Sequence, residues 1–254
     1  MTPNSRNVDL SNHKKTPHFE GLFGVLFLIL AGLIFMNSGI FAVKEVTVLG
    51  NQEIPTEDIL LTARLNHYKN IFQVDVHKIQ QEILQNPKIS SVEVSRVFPQ
   101  KILITIKERQ PLCLLLYLDN LLIIGEDSVV MAIKDESDPI SLPIITGVKN
   151  QRIKVGEKVQ TTQFKTALEI LKYADDNLRQ IISEINLTNF QLYLDLPNSN
   201  NTLKVELGSD SEVEKKINNL RAILSQTSPD ELAKVDLRVP DLPTVIKLKK
   251  NESK

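Results

Sequence analysis

The chain has 254 residues, of which 42% are hydrophobic and 24% charged, and a formal net charge of −1, so it has no general electrostatic attraction for a polyanion such as nucleic acid. Its length exceeds one domain of about 100–150 residues and fits an anchor followed by two modest domains. Cys113 is the single cysteine, which excludes an internal disulfide and a thiol cluster for a metal and reads as a small buried apolar residue.

From Gly21 to Val43 no side chain is charged, and Leu22 to Met36 is almost wholly Leu, Ile, Phe, Val, Ala and Gly. At about 1.5 Å per residue, about 20 residues cross a hydrocarbon layer of about 30 Å, so residues 21–43 are predicted to form a transmembrane helix. A cleaved signal peptide is the other reading, but it usually has a shorter apolar core and small residues at the cleavage site. Here the apolar run continues through Ile40-Phe41-Ala42-Val43 into a strand pattern, which favours an uncleaved anchor. Arg6, Lys14 and Lys15 precede the span, whereas Lys44 is followed by Glu45, Glu53, Glu57 and Asp58. That asymmetry predicts a single-pass type II protein of the cytoplasmic (inner) membrane, N-terminus in the cytoplasm and the remainder outside. Residues 1–20 are polar and poor in core-forming side chains, and are expected to be a disordered cytoplasmic tail.

The first outer domain is assigned residues 44–112. Lys44 to Asn51 alternates, with Val46 and Val48 on one face, and stops at the turn pair Gly50-Asn51. After Pro55, Thr56 is suited to cap a short helix whose first turn carries Glu57 and Asp58 and whose apolar side is Ile59, Leu60 and Ala63. Val76, Ile79 and Ile83 trace a second helix, which Asn86-Pro87 ends. A hairpin follows, with Val92 and Val94 on one arm, a turn at Phe98-Pro99-Gln100, and Ile102, Ile104 and Ile106 on the other. The order β-α-α-β-β gives a small sheet with one apolar face covered by two helices and with exposed edges open to a partner's strand.

The ordered set Val46-Thr47-Val48-Leu49-Gly50-Asn51, Ile71 to Asp75, Asn86-Pro87 to Val92, Arg96-Val97-Phe98-Pro99 and Ile104 to Pro111 resembles a POTRA domain. The Glu108-Arg109-Gln110-Pro111 ending after the Arg-x-Phe-Pro hairpin is similar to the FtsQ/DivIB division proteins in particular. The motif positions are Gly50, Asn51, Arg96, Phe98, Pro99, Glu108, Arg109 and Pro111. Taken singly, each has a simpler structural explanation: Pro99 fixes a turn, Phe98 packs at its base, and Glu108-Arg109 solvates a strand end. They identify a fold more than an active site.

The second outer domain is assigned residues 113–248, with a charged tail at 249–254. Leu112–Tyr117, Leu121–Ile124 and Val129–Ile133 read as short strands. Phe164, Ala167, Leu168, Leu171, Ala174 and Leu178 trace one helix beginning near Thr162. Strands at 181–187, 190–196 and 203–207 are expected to pair in sequence, the last two separated by the turn cluster at 197–201. A final helix opens with Ser211 and Glu214 at capping-box spacing and has an inner stripe of Val213, Ile217, Leu220 and Leu224. Two strands close the domain, Val235–Val239 and Thr244–Leu248. The expected architecture is therefore α+β: a transmembrane helix, a POTRA domain, and a mixed α/β domain with a largely antiparallel sheet. Leu142-Pro143 to Gly147 and the Asp236-Leu237-Arg238 strand are similar to FtsQ/DivIB stretches and extend the likeness to about residue 248. The departures are Val239, where the family often has an aromatic, and the interruptions Pro240 and Pro243.

No chemistry-bearing constellation is present. His13, His18, His67 and His77 are scattered, and there is no phosphate-cradling glycine loop, nucleophile elbow or metalloprotease His-Glu pair. Asp175-Asp176 and Glu212-Glu214 are explained by helix ends or solvated faces. No catalysis, metal, cofactor or small-molecule substrate is expected. The resemblance implies a non-catalytic divisome scaffold at the septum, binding FtsB-like and FtsL-like membrane proteins, one of which adds a strand along Val239 and Thr244-Val245-Ile246. A POTRA-containing polypeptide transport or envelope assembly factor is the alternative. It calls for a series of about ten-residue lipid-facing strands that this sequence lacks.

Overall fold

The computed structural model describes residues 19–65, 70–135, 137, 141–148, 152–196, 201–228 and 231–248. Residues 1–18 of the expected cytoplasmic tail, with its cations and with His13 and His18, lie outside the described residues, as do His67, most of the turn cluster at 197–201 and the charged tail from 249, while residues 19–20, expected in the tail, are helical.

The first helix, α1, is Phe19–Met36. At 18 residues it measures about 27 Å, against a hydrocarbon layer of about 30 Å. Among the described residues no helix is long and apolar enough to cross a membrane. The helix does not continue to Val43. Asn37 closes it by donating from Nδ2 to the Leu33 carbonyl at 3.0 Å, and a 3-10 turn follows at Gly39–Phe41. Phe41 and Val43 instead pack against the core of the first domain.

That core lies between a three-stranded sheet and two helices. The strands are β1 (Glu45–Leu49), β2 (Ile89–Val97) and β3 (Lys101–Glu108), ordered β1-β3-β2 with β1 parallel and β2 antiparallel to β3. Register places Val48, Ile104 and Val94 in one row and Val46, Ile102 and Arg96 in the next. The central residues Ile102, Ile104 and Ile106 are buried under Ile59 and Ala63 of α2 (Thr56–Ala63) and Ile79 and Ile83 of α3 (Val76–Leu84). Thr56 does not cap α2: Pro55 holds that position, and the Thr56 hydroxyl accepts from Asn51 Nδ2 at 3.0 Å. Asp75 caps α3 through Lys78 N at 3.1 Å.

The second sheet has nine strands in the order β12-β11-β10-β9-β8-β7-β4-β5-β6. They are β4 (Pro111–Tyr117), β5 (Asn120–Gly125), β6 (Val130–Ile133), β7 (Ile144–Thr146), β8 (Ile182–Asn186), β9 (Gln191–Asp195), β10 (Thr202–Glu206), β11 (Leu232–Asp236) and β12 (Thr244–Lys247). The pairs β4–β7, β7–β8 and β10–β11 are parallel; helices cross over between the members of the last two pairs, whereas the β5–β6 hairpin lies between β4 and β7 in the chain. The remaining neighbours are antiparallel, including β8-β9-β10, which pair in sequence.

The helices α4 (Thr162–Tyr173) and α6 (Val213–Gln226) bury Phe164, Ile170, Leu171, Ile217 and Leu220 against the sheet. The expected single helix through Leu178 is broken. Ala174 is extended, and Asp175 accepts from Leu178 N at 2.9 Å to start α5 (Asp176–Ile181). Ser211 and Glu214 form no capping box: Glu212, in the left-handed region at φ 50°, occupies the cap without a side-chain bond. The loop before α6 instead folds over Lys216, whose buried ammonium donates to Ser209 O at 3.1 Å and Ser209 Oγ at 3.2 Å. Cys113 is buried in this core, and burial pushes its thiol up to about 12.

Ile104 sits at the centre of the first sheet with no exposed surface. Ile104→Ala is expected to cost about 2–5 kcal/mol in chemical denaturation followed by circular dichroism.

Candidate functional site

Glu108 ends β3 and faces back toward the first domain. Its carboxylate accepts from the backbone N–H groups of Gln52 (2.8 Å), Glu53 (3.0 Å) and Ile54 (2.9 Å). These donors precede α2, so one side chain fixes the loop between β1 and that helix. Burial alone would raise the Glu108 pKa, but the three backbone bonds together with Lys88 outweigh it and hold the group below its ordinary value.

Arg109 turns toward the second domain. Its Nη1 donates to the Pro87 carbonyl, its Nε to Asp127 Oδ1 at 2.8 Å, and its backbone N–H to Lys88 O at 2.7 Å. The guanidinium thus joins the end of α3's following turn to the β5–β6 turn. Gly125 makes room for it, since a Cβ there would collide with Arg109 Cγ and Cδ. The Arg109 side chain is only 10% exposed. At Asp127 burial acts to raise the pKa, yet the bond and charge of Arg109 prevail and lower it. Solvating a strand end is therefore not what this pair does. Pro111 begins β4 two residues later, so the two sheets are joined by Arg109-Gln110.

The other motif residues shape the first domain. Gly50 has φ +86°, and a Cβ would strike the Ile106 carbonyl; Asn51 ties Ile54 O at 3.0 Å as well as Thr56. Arg96 shares a row with Ile102 and reaches over to donate to Ile71 O (3.0 Å) and Val74 O (2.6 Å). Those bonds hold the 3-10 turn Ile71–Gln73. Phe98 and Pro99 form the hairpin tip, and Phe98 is exposed rather than packed under it.

The residues assigned to partner binding lie at one margin of the large sheet. β12 is its last strand and, among the described residues, pairs antiparallel with β11 alone, Val245 opposite Val235 and Thr244 opposite Asp236. Pro240 and Pro243 precede β12, so neither removes a donor from it. The Pro240 carbonyl accepts from Asn219 Nδ2 at 2.6 Å, fastening the approach to α6. Val239 and Ile246 are 56% and 52% exposed, beside exposed Leu242 and Leu248. Val245 points inward and packs against the core. At the opposite margin the first residue of β6 is bonded by its own chain: Val130 N donates to Glu157 O at 2.9 Å, and Gly156 N donates to Val130 O at 2.8 Å.

Among the described residues no group of three His, Cys, Asp or Glu side chains is placed to hold a metal. A groove of about 540 Å³ beside β4, lined in part by Leu112, Glu126, Pro143, Arg179 and Asp195, contains no histidine or cysteine.

Two family profiles match the chain in succession. Residues 41–109 match the POTRA domain of FtsQ type, and residues 117–238 match the C-terminal domain of cell division protein FtsQ/DivIB. The chain belongs to the FtsQ/DivIB family. It is 26% identical over 211 residues to cell division protein DivIB of Clostridium tetani, covering 80% of this chain and 77% of that one. It is 29% identical over 204 residues to cell division protein FtsQ of Syntrophotalea carbinolica, covering 77% and 70%.

In this FtsQ/DivIB chain two structural features escape sequence reasoning. Asp127 supplies Arg109's carboxylate from 18 residues away, and the turn signal Gly125-Glu126-Asp127-Ser128 gives no hint of it. Lys216 interrupts the apolar stripe of α6 and carries no sequence sign that it is buried.

The depressed Glu108 pKa means that its stabilisation is complete above the unfolded carboxylate value of about 4.3 and is lost as pH falls through the folded value. Glu108→Gln is expected to destabilise the first domain by about 1–2 kcal/mol near neutral pH, solvent access holding the effect at the low end. Urea titrations from pH 7 to pH 3 should show the gap between wild type and variant closing as the pH falls.

Proposed function

We propose that this chain is a membrane-anchored, non-catalytic scaffold of the divisome, binding FtsB-like and FtsL-like membrane proteins at the septum. The observation that carries the proposal is the contrast between the margins of the nine-stranded sheet. The edge of β6 is bonded at Val130 by its own chain, whereas β12 has a second edge without a strand neighbour among the described residues and is flanked by exposed apolar side chains. Such an edge can accept a partner's strand through backbone hydrogen bonds, with side chains setting the choice of partner. Val239, Thr244 and Ile246 are assigned to the docking surface, while Val245 supports the strand from beneath.

α1 is assigned as the anchor of a single-pass type II protein of the cytoplasmic membrane, with the N-terminus inside and both domains outside. Leu22, Phe23, Val25, Leu26, Phe27 and Leu28 are all more than half exposed. A helix that is apolar on every side finds its stable surroundings in a core or a bilayer, and the described residues leave α1 uncovered. The short gap between its length and the hydrocarbon thickness is of the size that bilayers accommodate by thinning.

The test is a pull-down of the full chain, in detergent micelles, against the outer segments of FtsB-like and FtsL-like proteins, with circular dichroism confirming the fold. Ile246→Asp is expected to weaken binding at least about tenfold, which corresponds to about 1.4 kcal/mol, without loss of structure. Val245→Asp is expected to lower stability as well, because it buries a charge against the core. Binding unchanged by Ile246→Asp would move the contact away from β12.

A further inference from the structure

We propose that the tip of the β2–β3 hairpin is seated in the headgroup layer of the bilayer, making the first domain itself a lipid-contacting surface. This rests on the reading of α1 as a membrane anchor. Phe35, in the last turn of α1, meets Phe41 edge to face at 5.3 Å between ring centroids. Phe41 meets Phe72 at 5.0 Å, and Phe72 meets Phe98 at 5.4 Å. The rings form an unbroken ladder from the anchor to the hairpin tip.

Hydrogen bonds from Asn70 and Gln100 to the backbone hold the two ends of the ladder together. Asn70, itself buried, donates from Nδ2 to the Met36 carbonyl at 2.7 Å and accepts from Phe72 N at 2.9 Å. Gln100 donates from Nε2 to Ile40 O at 2.9 Å, and its own carbonyl accepts from Lys44 N at 2.9 Å. The first domain is therefore not tethered on a loose linker. Its tip is fixed at the level where α1 ends.

The apolar surface left open at that level is continuous with α1. Phe98 is 56% exposed, Val97 42% and Phe72 38%. In water these side chains form an unfavourable patch; beside the end of a spanning helix they lie where aromatic rings prefer to sit, between acyl chains and headgroups. Charge agrees with this placement. Lys44 is exposed next to the tip, and Lys101 opens β3 there, its charge offset by Glu45 at 2.8 Å. A cation at this height faces anionic headgroups while its stem lies along the apolar layer. The surface thus fits the lipid interface rather than a second protein.

The chain contains no tryptophan, so a single introduced one reports its surroundings without background. The full chain is reconstituted in vesicles containing lipids brominated either near the headgroup or deep in the acyl chain. Leu28→Trp, at mid-helix, tests the anchor, and Phe98→Trp tests the tip, with Phe72→Trp replacing it should the first variant not fold. The expected result is deep quenching at position 28, and shallow quenching with blue-shifted emission at position 98. Deep quenching at 28 with an unquenched, red-shifted signal from the tip overturns the inference and leaves the anchor standing. No quenching at 28 overturns the anchor and the inference with it.

Discussion

Glu108 is the last residue of β3 and Arg109 follows it directly, and their side chains turn toward opposite domains. The Glu108 carboxylate gathers three N–H groups ahead of α2, donors that would otherwise depend on water at a helix entrance. The Arg109 guanidinium connects Pro87 of the first domain to Asp127 of the second. Because β4 starts at Pro111, little chain is available to absorb a change of angle between the two sheets. Neutralising either group releases more than a surface ion pair, since the partners include backbone atoms, the N–H groups of Gln52, Glu53 and Ile54 and the Pro87 carbonyl.

The two sheets treat their margins differently. In the small sheet the single dry face is closed by α2 and α3, and one of its edges, β2, continues into the hairpin tip. In the large sheet α4 and α6 cover one face, and the segment around Gly156–Glu157 bonds to Val130 at the start of the β6 edge. β12 is flanked by exposed Val239, Leu242 and Leu248. Proteins commonly blunt such edges with short strands, prolines and charges. β12 is four residues long, is preceded by Pro240 and Pro243, and ends at Lys247.

The first domain was readable because its period-two strands and two amphipathic helices are each local, and its registry follows from alternating Ile and Val. The second was harder for a physical reason. Two of its parallel pairs depend on crossover helices, and β7 is only three residues long, too short to show a period. The continuous apolar face from Phe164 to Leu178 concealed a helix break, because Ala174 and Leu178 are both buried whether or not the helix continues. The motif residues were located by sequence, but their partners were not. Pro87, Asp127 and the loop from Gln52 to Ile54 are distant in the chain and chemically ordinary.

On the scaffold reading, β12 alone is too small to bind tightly. A four-residue antiparallel edge offers about two outward pairs of backbone groups, and each hydrogen bond contributes about 0.5–1.5 kcal/mol net. Burying exposed side chains such as Val239, Leu242 and Ile246 can add about 1.5–3 kcal/mol each, but ordering a partner's segment costs part of that gain. Co-anchoring in one membrane changes the balance. If α1 and the partner's own span lie in the same bilayer, the second contact becomes effectively intramolecular, and its concentration is set by reach rather than diffusion. The close junction at Arg109 and the ring ladder at α1 both limit the heights available to β12. On that reading a stiff path from membrane to docking edge would give a short strand the selectivity that its length cannot supply: only partners presenting apolar residues at the matching height would gain this advantage.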